Sequence, residues 1–74
     1  MNEKLEALFA RLFDAKGLRD EMSPENVAGW DSFSHIELIV ELESVFGVAI
    51  PTSDAVKLDS VGKIKTYLSE KGAA

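Results

Sequence analysis

The side chains of this 74-residue chain that could do chemistry are few, and most lie in one short stretch. Asp31, Ser32 and His35 supply an acid, a hydroxyl and the only imidazole of the sequence. These are the parts of a hydrolytic triad. On one turn of a helix, though, neighbouring side chains seldom aim at each other as nucleophile and base, and no oxyanion donors are apparent. The expected role of His35 is that of a packed or half-exposed helix residue. Cysteine is absent, which removes thiol nucleophiles, disulfides and thiolate zinc sites, and a lone His does not make a His-based metal centre. Glu37 and Glu41 lie one helical turn apart and could in principle hold a cation, but a solvated, partner-facing strip is the expected use. Ser32 remains. In Gly29-Trp30-Asp31-Ser32-Phe33 a flexible Gly and an anchoring Trp lead into a capped helix start, so the Ser32 hydroxyl is expected to be exposed. A serine there is ordinarily a cap. The same place suits a covalently attached phosphate, because free N–H groups and the helix dipole favour an anion.

The elements that must position these residues follow from periodicity. Leu5, Leu8, Phe9, Leu12 and Phe13 recur at i, i+3, i+4, i+7 and i+8, which predicts an amphipathic helix over 3–16, with Asn2 as its cap and Lys16-Gly17 as its stop. Residues 18–30 hold no period and form a long loop, tacked to the core by Met22, Val27 and Trp30, with one helical turn able to begin at Ser23-Pro24-Glu25. A second long helix is predicted over 32–46. Asp31 is its expected cap, Ser34 with Glu37 also fits a capping box, and Gly47 ends it. Leu38, Ile39, Leu42, Val45 and Phe46 share its inner side. Ser34, Glu37, Glu41 and Ser44 form the polar strip opposite, and Phe33, Ile36 and Val40 sit on a flank that the core need not cover. Val48 to Pro51 is extended, since Pro51 disfavours helix before it, and a single such stretch has no partner strand. Thr52 or Ser53 caps a short helix over 53–57, and Ser60 caps a last helix, 61–71, that turns Val61, Ile64, Tyr67 and Leu68 inward before Gly72. The predicted fold is all-α: a small bundle of three longer helices and one short helix, with a long loop between the first and second, in one domain over 1–74.

Thirteen acids against eight bases give a net charge of −5, which argues against a nucleic-acid partner. No apolar run reaches the length of a membrane span or a signal-peptide core, and a cytoplasmic monomer is expected. The distribution of charge is more informative. From Asp20 to Val56 there are eight acids and no Lys or Arg. The flanks hold the other five acids and all eight bases. Such asymmetry is either a solvated face or a recognition surface for a basic partner.

The run Gly29-Trp30-Asp31-Ser32-Phe33-Ser34-His35-Ile36-Glu37-Leu38-Ile39 resembles the phosphopantetheine attachment site of acyl carrier proteins, whose core is Asp-Ser-Leu followed by an amphipathic helix. Glu41-Leu42-Glu43, Phe46-Gly47 and Ile50-Pro51 continue the match in order and spacing, so the resemblance covers essentially the whole chain. It implies a non-catalytic carrier with 4′-phosphopantetheine attached to Ser32 by a phosphopantetheinyl transferase. The arm's thiol would hold acyl groups as thioesters, which supplies the sulfur that the sequence lacks. The resemblance further implies that Asp31 serves both as cap and in recognition by the transferase. Glu37 and Glu43 match acids that meet basic patches on acyl-transfer, ligase or synthase partners, with Glu41 beside them, and Phe33, Ile36 and Val40 match the apolar part of that docking surface. Weak, salt-sensitive contacts suit a shuttle that must leave each enzyme.

Some positions depart from the family pattern. Phe33 stands where Leu is commonest, Ser44 where an acid is frequent and Glu41 where a small residue is frequent. Trp30 before the Asp-Ser pair looks more like discrete carriers of polyketide-like, lipid or polysaccharide routes than like a housekeeping fatty-acid carrier. The start at Met1 and the short tail Gly72-Ala73-Ala74 lead us to expect a free-standing protein. An aminoacyl or peptidyl carrier with the same arm, and an unmodified helical protein binding a basic partner through Glu37, Glu41 and Glu43, are the alternatives.

Overall fold

A computed structural model describes residues 2–73. The elements run α1 (Asn2–Phe13), α2 (Ser32–Phe46), α3 (Thr52–Ala55) and α4 (Val61–Glu70), with no strand among the described residues. This is the all-α bundle that the periodicity predicts. Its radius of gyration of 11.0 Å is what a chain of this length has when compact, about 11 Å.

The first helix ends earlier than expected. It stops at Phe13 because Asp14 takes a left-handed backbone with φ 56°, while its N–H still reaches the Ala10 carbonyl at 2.9 Å. Asp enters that conformation more readily than most residues, since its short polar side chain bonds locally. Gly17, φ 91°, therefore shapes the loop and does not cap the helix. At the other end Asn2 is the first residue of α1, one position earlier than predicted, and its proposed capping side chain lies outside the described ones. Leu5, Leu8 and Phe9 form the buried stripe.

The long loop is built into the core. Met22 and Trp30 are buried, and Val27 packs against them from a half-buried position. The Ser23 carbonyl accepts from Asn26 and Val27 N–H at 3.1 and 2.9 Å, which makes the single turn anticipated after Ser23. The loop is then tied to the start of α4: Gly62 N–H donates to the Asp20 carbonyl and Val61 N–H to the Met22 carbonyl, both at 3.0 Å. A Cβ on Gly62 would stand 3.4 Å from that Asp20 oxygen, an ordinary van der Waals contact.

The inner face of α2 buries Leu38, Ile39 and Leu42, leaving Val45 and Phe46 half-buried. Gly47, φ 66°, closes the helix with its N–H on the Glu43 carbonyl at 2.9 Å. Helix α3 covers Thr52–Ala55, shorter than 53–57, and begins at Pro51 without a side-chain cap bond, so neither Thr52 nor Ser53 caps it. Ser60 does cap α4, accepting from Lys63 N–H at 3.2 Å. Val61, Ile64 and Leu68 fill the α4 side of the core. Tyr67 packs against the core from a half-buried position, as its inward placement predicts in part, and donates its hydroxyl to Asp54 Oδ2 at 2.8 Å, because the phenol needs a polar partner that the core does not offer. One cluster of buried apolar residues thus draws on α1, α2, α4 and the three connections between helices.

Candidate functional site

The start of α2 is fixed by a reciprocal cap. Asp31 is extended (φ −122°, ψ −171°), and its carboxylate accepts the Ser34 N–H at 2.9 Å. In return the Asp31 N–H donates to Ser34 Oγ at 2.8 Å, and that hydroxyl donates to the Gly29 carbonyl at 2.6 Å. The capping box is therefore Asp31 with Ser34, one turn earlier than the Ser34–Glu37 pairing that the sequence also allowed. Gly29 has φ 90°, a backbone that an L side chain rarely adopts, which explains glycine at the entry to the cap. The Ser34 backbone N–H first, and its hydroxyl second, hold the Asp31 carboxyl below the usual carboxylate range. Its negative charge lies at the positive end of α2, where the dipole favours it.

Ser32 is the first residue of α2, exposed, and takes no part in this network. The capping role that a serine here would ordinarily fill is already done by its neighbours. Ser32 lines a shallow cavity of about 620 Å³, together with Pro24, His35, Ile36, Thr52, Val56 and Asp59. A smaller cavity of about 280 Å³ adjoins it through His35, Ile36, Thr52 and Val56 and reaches Ile39 and Ile50. The result is an open groove between α2 and α3 that begins at Ser32 and is largely apolar along its sides.

His35 is half-buried, as expected, but it has a definite task. Its Nδ1 accepts the Trp30 indole N–H at 2.9 Å, and its Nε2 lies 2.8 Å from the Ala55 carbonyl. Both ring nitrogens are thereby engaged away from Ser32, so Asp31, Ser32 and His35 are adjacent without forming a nucleophile–base relay. Trp30 is held in turn by Phe9 and Phe13, with ring centroids at 5.3 and 5.6 Å.

The sequence-predicted docking residues divide. Phe33, Ile36 and Val40 are 72, 64 and 57% exposed and form an apolar stripe beside Ser32. Val56, 67% exposed, extends it across the groove; in the sequence it was only one more position of the short helix. Glu37 is exposed on the same helix. Glu41 instead pairs with Arg11 of α1 at 2.9 Å, which lowers its carboxyl below the ordinary value through the Arg11 hydrogen bond and charge. Glu43 accepts the Ile50 N–H at 2.8 Å and so secures the connection into α3. Glu37 is thus exposed, while Glu41 and Glu43 are half-buried and each holds a partner within the chain. The base-free stretch is also less isolated in space than in sequence. Lys65 reaches Asp20 at 2.7 Å and Arg19 reaches Glu21 at 3.0 Å, so bases from the flanks answer three of its acids.

No cluster of three or more metal-ligating side chains occurs among the described residues, and no helix there is long and apolar enough to cross a membrane. Comparison with known proteins bears on what the start of α2 is for. The family described as "Phosphopantetheine attachment site" matches residues 3–68. An acyl carrier protein of Chloroherpeton thalassium is 37% identical over 54 residues, covering 73% of this chain and 68% of that protein. An acyl carrier protein of Lactobacillus johnsonii is 34% identical over 55 residues, covering 74% of this chain and 69% of that one.

Proposed function

The chain belongs to the acyl carrier protein family, whose prosthetic group is covalent 4′-phosphopantetheine, and we propose that Ser32 is the attachment residue of a single carrier domain over 1–74. The observation that supports Ser32 is the division of labour at the start of α2. Asp31 and Ser34 cap the helix, while Ser32, one position into it, keeps an exposed hydroxyl outside the capping network. The surroundings fit a phosphate ester there. The first N–H groups of a helix have no intrahelical partner, and its dipole favours an anion at that end. The Asp31 carboxylate is turned back onto the Ser34 N–H, so its charge is partly compensated.

When bound, the prosthetic group supplies the thiol that holds an acyl group as a thioester. The chain's own residues position and present. Trp30, buried among Phe9 and Phe13, fixes the end of the loop, and Asp31 with Ser34 fixes the first turn of α2. Phe33, Ile36 and Val40, with Glu37 at their edge, are the surface offered to a transferase and to acyl-transferring partners bearing basic patches. Electrostatic steering with modest apolar burial gives fast, short-lived contacts of the kind a shuttle needs. Carriage of acyl rather than aminoacyl groups is what the two relatives' names support, and Trp30 before the Asp-Ser pair favours a specialised lipid, polyketide-like or polysaccharide route.

The test is direct. The protein is incubated with coenzyme A and a broad-specificity phosphopantetheinyl transferase and weighed by mass spectrometry. The expected result is the gain of one phosphopantetheine, lost in Ser32→Ala and retained in Ser34→Ala. No gain under conditions that modify a control carrier, or a gain that survives Ser32→Ala, overturns the assignment.

A further inference from the structure

Helix α3 has little of its own to hold it in place. It is four residues long, lacks a side-chain cap bond and contributes no buried residue. Its position must come from outside. Tyr67 of α4 bonds Asp54 at 2.8 Å, and Glu43 bonds the Ile50 N–H just before it at 2.8 Å. The third tie is His35, whose Nε2 meets the carbonyl of Ala55, the last residue of α3, at 2.8 Å. Among the described residues this is the side-chain bond that joins α3 to the first turns of α2, next to Ser32.

The geometry also fixes how His35 makes that bond. An indole N–H can only donate, so Nδ1 must accept and carries no proton. A carbonyl can only accept, so Nε2 must carry the proton. Both bonds coexist in one neutral tautomer, and the ring that carries it is aimed by an indole only 3% exposed and packed on Phe9 and Phe13. The core thus reaches out through Trp30 and His35 to hold α3. Helix α3 forms one wall of the groove that starts at Ser32, with Ala55 and Val56 facing Ile36, Ile39 and Val40 of α2.

We propose that His35 is a positioning residue that latches α3 to α2 and so sets the opening of the groove beside Ser32. An apolar chain carried from Ser32 is shielded along Ile36 and Val56 while the latch holds and exposed when it is released. This consequence rests on Ser32 being the attachment residue; the latch itself does not.

Amide hydrogen exchange on the unmodified chain tests the latch. In His35→Phe, which fills the space but bonds neither partner, the N–H groups of Val56, Lys57 and Leu58 should exchange roughly tenfold faster. Those in the middle of α1, α2 and α4 should stay within about twofold. His35→Gln, whose amide N–H can reach the Ala55 carbonyl, should restore slow exchange at 56–58. Unchanged exchange at 56–58 in His35→Phe overturns the proposal, and so does equal acceleration throughout, which would make His35 only a stability residue. The unsubstituted protein gives a second reading that needs no variant. Its imidazole ¹⁵N shifts should report protonated Nε2 and bare Nδ1, and the other tautomer would refute the latch. In protein loaded with an octanoyl thioester, hydroxylamine should cleave the thioester several-fold faster in His35→Phe than in the unsubstituted chain; equal rates would refute the link to the groove. Failure of Ser32 to be modified would leave the exchange and ¹⁵N results standing, so the two readings fail separately.

Discussion

Replacing Trp30 by Phe probes the join between the core and the start of α2. The indole is 3% exposed, stacks on Phe13 at 5.6 Å, meets Phe9 edge-on at 5.3 Å and donates to His35 Nδ1 at 2.9 Å. Phe keeps an aromatic ring between Phe9 and Phe13 but loses the N–H and the second ring. The lost hydrogen bond costs about 1 kcal/mol. The weakened aromatic packing costs about as much again, for a total of about 2 kcal/mol. A domain of 74 residues has a total stability of roughly 4–11 kcal/mol, so the variant should fold. Unfolding entropy of about 2.1 cal/mol/K per residue converts the loss into a fall in Tm of about 13 °C. The assay is thermal unfolding followed by far-UV circular dichroism, because the substitution removes the only tryptophan. Well below the transition, modification of Ser32 by the transferase should proceed within about twofold of the unsubstituted rate, since the Asp31–Ser34 cap does not touch the indole. A fall in Tm under about 3 °C would mean that the N–H is not satisfied by His35 in the folded protein. Loss of modification in a folded variant would show that Ser32 depends on Trp30 itself and not on the cap.

Asp31, Glu41 and Asp59 are held below their ordinary values of 3.8, 4.5 and 3.8, chiefly by bonds from Ser34, Arg11 and Lys63 respectively. Their contribution to stability is complete above those ordinary values and is lost as pH falls through the lower folded ones. Urea unfolding should therefore be steady from about pH 7 to 5 and weaken below, with a shallower decline in Asp31→Ser, which caps without titrating; an identical decline would refute the role of Asp31. Gly47→Ala should lower Tm by about 6 °C through its left-handed backbone alone, because a Cβ there meets nothing within 4 Å, and a drop several times larger would point to a contact that the structure does not contain. Glu37→Lys should leave Tm within about 3 °C of the original while weakening turnover by a basic partner, whereas Glu43→Lys should lower Tm as well, because the Ile50 N–H loses its acceptor. Equal Tm values for the two would refute that distinction.

The order of helices and most of the core were legible in the sequence because burial imposes a period on side chains. Leu5, Leu8 and Phe9, Leu38, Ile39 and Leu42, and Val61, Ile64 and Leu68 follow it. The caps Asp31, Gly47 and Ser60 were legible because unpaired backbone groups at helix ends demand particular side chains or a positive φ. The end of α1 was not: the sequence pointed to Lys16-Gly17, but the backbone already turns left-handed at Asp14. Ser32 stood out from its neighbours by local chemistry, which a sequence records well. The charged residues did not behave so simply. Whether an acid is free depends on what folds against it, and Arg11 and Lys65 come from 30 and 45 positions away to meet Glu41 and Asp20. His35 is the same case: alone in the sequence it suggested either a failed catalytic base or a bland helix residue. Local pattern determined the helices, the caps of α2 and α4 and the exposed serine, because those depend on near neighbours. Tertiary structure alone decided that Glu41 pairs with Arg11, that Glu43 accepts the Ile50 N–H and that His35 joins Trp30 to Ala55, because a bond between separate segments exists only once the core has brought them together.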